Sequence, residues 1–282
     1  MQRMPGEIDY ETVAQYWDAA AQHAATSAYL AHEQGIPDDC VQYRFRREAS
    51  VVDAWTGGIG NASALDVGCG AGMWTAYLAR RFERVTGVEQ SLPLLDTAAQ
   101  QTRGLPNIEF IHGSAIEVLG AMDGAFDLAF VGSLMMYLNR DDAVALLRAI
   151  RSRLGPGGVV IARETTIAHG VQVLDGDYPA AYRSIAEYRA IAGEAGYEVA
   201  EVRANAGYEA QEIAVELVSL LRRLPLLRRV RLEMIGTGVW RALRFTAPVS
   251  LRVAPASLRR LGVTWPRLSN HFFRLAPKQE PD

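Results

Sequence analysis

Lysine is almost missing from this chain: Lys278 is the single one among 29 basic residues. Arginine usage this one-sided reads as the mark of a GC-rich coding sequence, not of a site built on guanidinium chemistry. Cysteine is scarce too, with only Cys40 and Cys69 present. Two thiols allow neither a disulfide framework nor zinc-type ligand spacing, so no metal is expected, and they fit a reducing cytoplasm. No apolar run reaches the ~18 residues of a bilayer span. The opening "MQRMPGEIDYETVAQYW" lacks the apolar core of a secretory leader. Neither sign of charge dominates: 29 basic residues face 32 acidic ones, for a net −3. That balance argues against a nucleic-acid-binding chain overall. The expectation is a cytoplasmic protein, at most associated with a membrane surface.

What is present is material for a core. Hydrophobic residues make up 49% of the 282 positions, which suits one domain with additions better than two full ones. Residues 8 to 55 read as helices, with Tyr10, Val13, Tyr16 and Trp17 at helical spacing and Val41, Phe45, Val52 and Trp55 likewise. Glycines 57, 58 and 60 then break the pattern. From Ala62 short apolar strands alternate with amphipathic helices: strands at 64–67, 84–89, 108–112, 126–131 and 158–164. The spacing predicts a loop over 165–177, a helix over 178–195 and a sixth strand over 197–204. Residues 206–266 are helical in pattern and rich in arginine, and a last strand is expected at 269–276. This alternation implies an α/β, doubly wound, mostly parallel seven-stranded sheet. The linear division is a helical cap (1–60), a Rossmann-like core (61–205), a basic helical insert (206–267) and a final strand with its tail (268–282).

The stretch "ALDVGCGAGMWTAYLA" (64–79) carries the chemistry. A strand that feeds a helix through closely spaced glycines brings backbone to a ligand with no Cβ in the way. Dinucleotide sites use G-x-G-x-x-G, whose last glycine lets helix and strand pack closely. Here Gly68, Gly70 and Gly72 give G-x-G-x-G, and Met73 stands where that third glycine belongs. Asp66, just before the turn, suits a cationic amino-acid group better than a pyrophosphate.

"LDVGCGAG" resembles the first motif of the class I S-adenosylmethionine-dependent methyltransferases. Further markers fall in order: Glu89 at the end of the second strand, "GSA" (113–115) after the third, "FDLAFVGSLMMYL" at the fourth and "LGPGGVVIARE" entering the fifth. The resemblance implies S-adenosyl-L-methionine as cofactor, with Gly68, Gly70 and Gly72 at its methionine side and Glu89 taking both ribose hydroxyls. It also implies that Gln90, Ser114 and Ala115 flank the adenine and that Val131 or Ser133 floors the site. Trp74 either closes over the cofactor or packs on the sheet. Ser114 departs from the family, which often has an acid there.

Methyl transfer needs a positioned acceptor and excluded water, and a base only for a protonated acceptor. The acceptor wall is expected from the N-terminal helices and the loops after strands four and five. Tyr137 fits that wall, and Glu164, His169, Tyr182 and Arg183 gather around the fifth-strand loop. His169 is the base candidate, while Tyr16 and Trp17 are read as lid or core. His23 and His32 read as helix-surface residues, His112 as the end of a buried strand, and His271 as structural. "VGSLMMY" is not the Asn/Asp-Pro-Pro-aromatic motif of base or glutamine methylation. The acid pairs of a magnesium-dependent catechol site are not evident. The partner expected is a small-molecule acceptor, a sugar, natural-product or lipid-linked intermediate methylated on a hydroxyl or amine, and not nucleic acid. Two competing readings are a cofactor-binding methyltransferase-like fold with a non-methylating or scaffold role and an NAD-dependent oxidoreductase. For the basic 216–267 segment three readings stay open: contact with anionic lipid, a lid or homodimer surface, and a solvated basic face.

Overall fold

A computed structural model describes residues 7–21, 31, 33–176, 178–247, 249–262 and 265–278. His23 and His32 lie outside the described residues. Contacts divide the chain into two units: Met1–Ser27, Ala54–Arg203 and His271–Asp282 form one, and Ala28–Asp53 with Ala204–Asn270 the other. This division departs from the linear one, because the N-terminal helical region is shared between the units.

The first unit is a sheet covered by helices. Its strands are β1 (Ser63–Val67), β2 (Arg84–Glu89), β3 (Ile108–His112), β4 (Phe126–Gly132), β5 (Leu154–Ile167), β6 (Val171–Leu174), β7 (Ala180–Ser184), β8 (Tyr197–Ala204) and β9 (Ser269–Pro277). The order is β3-β2-β1-β4-β5-β7-β6, with β9 paired to β5 and β8. β1 to β5 and β7 pair in parallel, and β6 is antiparallel to β7. The expected doubly wound α/β sheet is borne out, with nine strands among the described residues in place of seven. The mostly apolar runs of β1 and β4, each interrupted by one aspartate (Asp66 and Asp127), sit at its centre. All five residues of β1 are buried, as are Leu128 to Val131 of β4. Strands buried on both faces need such runs, which is why the sequence reads clearly here.

The two extra strands come from the stretch expected to be loop and helix. β5 continues through Thr165, Thr166 and Ile167, where Thr166 pairs with Arg183 of β7. The predicted helix over 178–195 is therefore corrected: residues 180–184 are strand, and the helix α7 begins at Ile185 (Ile185–Glu194). Ser184 caps it by accepting from the Glu187 N–H. β7, "AAYRS", holds Tyr182, Arg183 and Ser184 buried, so its pattern looks polar although its surroundings are not.

The helices of this unit are α1 (Tyr10–Ala21), α3 (Met73–Leu78), α4 (Leu92–Gln101), α5 (Ala115–Ala121), α6 (Arg140–Arg151) and α7. α6 buries Val144, Leu147 and Ile150 and carries Asp141 and Asp142 in its first turn and Arg148 and Arg151 in its last, matching the helix dipole. The chain order crosses from β1 through β2 and β3 back to β4 on the other side of β1. Open sheets bind ligands at such a reversal, outside the strand C-termini.

The second unit is helical, formed by most of α2 (Asp38–Thr56), α8 (Ala206–Leu221), α9 (Leu232–Phe245) and α10 (Ala254–Arg260). Its core joins Ile36, Cys40, Ile213, Val218, Val239 and Trp240. A Cβ at Gly236 would stand 1.8 Å from the Gly35 carbonyl oxygen, so α9 approaches that turn through a position only glycine allows. Among the described residues no helix is long and apolar enough to cross a membrane.

Candidate active site

β1 ends into a loop whose three glycines all adopt left-handed backbone: Gly68 (φ 69°), Gly70 (φ 54°) and Gly72 (φ 83°). Gly68 and Cys69 donate their N–H groups to the Val88 carbonyl at 2.8 and 3.0 Å, which ties the loop to the end of β2. At Gly72 a Cβ would meet the Ala98 Cβ at 2.8 Å, so this glycine serves packing against α4. At Gly70 nothing lies within 4 Å of where a Cβ would point. That is an open cradle beside half-buried backbone.

Glu89 stands at its rim. Its Oε2 accepts the Gly70 N–H at 2.9 Å, and its Oε1 accepts the Gln90 and Ser91 N–H groups at 2.9 Å each. Burial raises its pKa against the lowering by those three N–H groups, and Asp18 nearby raises it further. A carboxylate has about four lone-pair sites. Oε1 accepts two of these N–H groups and Oε2 one, so Glu89 retains acceptor capacity at Oε2. Gln90 is exposed and its carbonyl meets His112 Nε2 at 3.0 Å. His112 is itself exposed, on an edge strand, rather than at the end of a buried one. Ser114 and Ala115 are half-buried at the start of α5, next to Gly113, whose N–H donates to the Glu89 carbonyl. The Gly113 bond thus ties the start of α5 to the end of β2.

Asp66 is 2% exposed and accepts a hydrogen bond from the Thr75 hydroxyl at 2.6 Å. Burial pushes its pKa up to about 7. Trp74 lies in the core, its ring centroid 4.4 Å from that of Phe130 on β4. Of the two roles weighed for it, the structure places it in sheet packing rather than over the loop. Val131 is fully buried in β4 opposite Val67. Ser133, just past β4, has φ 60°, rare for a residue with a Cβ. Its N–H donates to the Arg163 carbonyl at 2.7 Å.

The loop after β4 is clamped from two sides. Glu164 is fully buried, and its Oε1 accepts the Leu134 and Met135 N–H groups at 3.1 Å each. Its Oε2 has no hydrogen-bond partner among the described residues, and burial raises its pKa to about 7. Arg183 donates to the Met135 and Leu138 carbonyls at 2.7 and 2.6 Å. Expected as acceptor contacts, both side chains instead hold the backbone of the short 3-10 turn Met135–Tyr137.

That turn presents Tyr137 to an aromatic group. Its hydroxyl is hydrogen-bonded to that of Tyr178, and its ring meets the rings of Trp17 and Tyr178 edge-on at 5.5 and 5.8 Å. Tyr16 meets Trp17 and Tyr178 edge-on at 5.3 and 5.0 Å. Burial, then the Tyr178 phenol, holds the Tyr137 pKa well above its ordinary value. Tyr182 is buried and is also felt electrostatically by Tyr137. α1 is anchored at one end by Tyr10, which bonds Asp142 and accepts the Asn139 N–H, and further along by Asp18, which accepts the Ser91 hydroxyl at 2.5 Å. The helix thus joins the aromatic group to the residue two places beyond Glu89. His169 sits exposed in the β5–β6 turn, and none of the hydrogen bonds or ring contacts just described involves it. His271 meets Thr166 across the sheet at 2.7 Å, a structural placement.

Tyr178 was not singled out by sequence reasoning. It lies in "GDYPA", read as a helix start, and its partner is 41 positions away, so no local spacing reveals it. Asp18 and Thr75 were missed likewise, being ordinary helix residues in pattern.

A crossover point in an open parallel sheet, a left-handed glycine loop and an acid on the neighbouring strand define a nucleoside-binding α/β protein. The comparisons narrow this. Residues 64–158 match the model of the family described as "Methyltransferase domain". A demethylmenaquinone methyltransferase of Staphylococcus aureus is 34% identical over 106 residues, 36% of this chain and 43% of that protein. The chain thus spans less than half the length of the curated relatives it matches. Two solved structures are similar in fold. A SAM-dependent methyltransferase of Leishmania major has a TM-score of 0.60 at 19% identity, over 70% of this chain and 76% of that one. The [4+2]-cyclase SpnF has 0.57 at 19% identity, over 83% and 82%. Residues 64–158 thus match a methyltransferase domain, and the sheet has the fold of solved methyltransferases that use S-adenosylmethionine as cofactor. The open cradle at Gly70 and the remaining acceptor site on Glu89 fit that cofactor.

Proposed function

We propose that this protein transfers a methyl group from S-adenosylmethionine to a hydroxyl or amine of a small molecule. The observation that carries the reading is the Gly70–Glu89 arrangement, an uncovered left-handed glycine bonded to a carboxylate that retains acceptor capacity. When bound, the cofactor supplies a methyl group activated on a sulfonium. In this reading the backbone at Gly68 and Gly70 receives the methionine side, Asp66 and Thr75 stiffen the strand end beneath it, and Glu89 fixes the ribose. Gln90, Ser114 and Ala115 edge the adenine, with Val131 and Ser133 beneath.

Tyr16, Trp17, Tyr137 and Tyr178 form the acceptor mouth. Rings meeting edge-on exclude water and present ring faces and hydroxyls, which suits an acceptor with an apolar or planar body and one polar handle. The raised Tyr137 pKa keeps its phenol protonated near neutral pH, so Tyr137 positions the acceptor heteroatom by hydrogen bonding and is not a base. Glu164 and Arg183 act through the turn they hold. The relatives' match falls on the cofactor half and carries no acceptor with it. The test is incubation with methyl-labelled cofactor and fractionated small-molecule extracts. A product heavier by one methyl, absent with Glu89→Ala, supports the reading; cofactor binding with no methyl consumed in any fraction points to a binding scaffold and overturns it.

A further inference from the structure

The second unit exposes a face that water alone does not suit. α9 buries Ile235, Gly236, Val239, Trp240 and Leu243, the stripe expected of a packed helix. Its opposite stripe, at spacings of four, three and four, is Met234, Gly238, Arg241 and Phe245. Met234 is 64% exposed and Phe245 91%. The preceding turn exposes Leu226 to 90%, and Leu261 after α10 is 78% exposed.

Charge accompanies this apolar surface. From residue 217 to 267 the sequence has eleven arginines and a single acid, Glu233. Arg222 is engaged by the Arg228 and Val230 carbonyls, and Arg244 lies over the rings of Tyr43 and Trp240. The exposed Arg223, Arg228, Arg229, Arg231 and Arg241 form no ion pair with any described residue.

We propose that the 223–261 segment is a docking surface for an anionic lipid bilayer. Phe245, Leu226 and Met234 enter the boundary between headgroups and acyl chains while the free guanidinium groups meet lipid phosphates. A second copy of the chain fits less well, since a two-fold contact sets this patch against itself and opposes arginine to arginine. A nucleic acid would satisfy the arginines and leave the apolar side chains in water. The bilayer is the partner that satisfies both. This inference stands apart from the proposed reaction and involves none of its residues.

The experiment is co-sedimentation of the full chain with vesicles of phosphatidylcholine, alone or mixed with phosphatidylglycerol, over a range of salt. Binding to the mixed vesicles that weakens with salt is expected. Each basic residue near an anionic surface contributes about 1 kcal/mol, so Arg228→Glu with Arg229→Glu lowers partitioning roughly 30-fold or more. Leu226→Ser with Phe245→Ser lowers it roughly tenfold or more, while both double variants keep the wild-type melting temperature. No binding to mixed vesicles at low salt overturns the proposal. So does binding that ignores the Leu226 and Phe245 changes and is matched by duplex RNA. A dimer that forms through this face and leaves the vesicles bare overturns it as well.

Discussion

At the scale of single residues the site depends on backbone more than on side chains. Gly70 and Gly72 have the same left-handed conformation and differ in what surrounds them, open space at one and Ala98 at the other. The two alanine variants should therefore separate. Gly72→Ala combines the left-handed penalty with a clash and costs about 2–4 kcal/mol of stability by urea titration. Gly70→Ala costs about 1–2 kcal/mol of stability, and its larger effect falls on S-adenosylhomocysteine affinity, because the added methyl occupies the cradle. Equal stability losses with unchanged affinity would remove Gly70 from the site. Tyr178→Phe breaks its bond to Tyr137 while keeping the rings; it should lower kcat several-fold and leave cofactor affinity unchanged by calorimetry. A fall in cofactor affinity instead would place Tyr178 at the wrong end of the site.

At the scale of elements the decisive piece is the turn after β4. Glu164 takes its two N–H groups and Arg183 two of its carbonyls, so buried charges are used to shape backbone. This arrangement has a pH signature. Burial lifts Glu164 from 4.5 to about 7 and Asp66 from 3.8 to about 7. Between about pH 4 and 7 the folded state keeps protons that the unfolded chain has released, so these groups favour folding most below pH 4 and lose that contribution as pH rises through 7. Unfolding free energies from urea titration should fall across that window by an amount of order 1–3 kcal/mol per group. Glu164→Gln should flatten the slope, and a slope unchanged by that substitution would mean Glu164 does not titrate there.

The same elements show where the sequence is legible. β1 and β4 are largely buried and read as mostly apolar runs, each interrupted by one aspartate, Asp66 and Asp127. β7 is equally buried but spends Arg183 and Ser184 on capping its neighbours, so it reads as the start of a helix. Threonines 165 and 166 extend β5 under the same disguise. The glycine loop and Glu89 are legible because their chemistry fits within about twenty-five positions. The aromatic mouth is not, since Trp17, Tyr137 and Tyr178 meet across three separate stretches.

At the scale of the whole molecule, the described residues include one core around the sheet and another around Cys40, Ile213 and Trp240. The linear reading of a cap and an insert missed that residues 28–53 and 204–270 cluster together, because helical periodicity shows which face is apolar and not which partner covers it. The cofactor reading belongs to the first core alone. Its most direct test is titration calorimetry of the purified protein with S-adenosylhomocysteine and, separately, with NAD. Micromolar binding of the first is expected, weakened by about 1–3 kcal/mol in Glu89→Ala through loss of a charged hydrogen bond, with no heat from NAD. Binding of NAD, or S-adenosylhomocysteine affinity indifferent to Glu89, would contradict it.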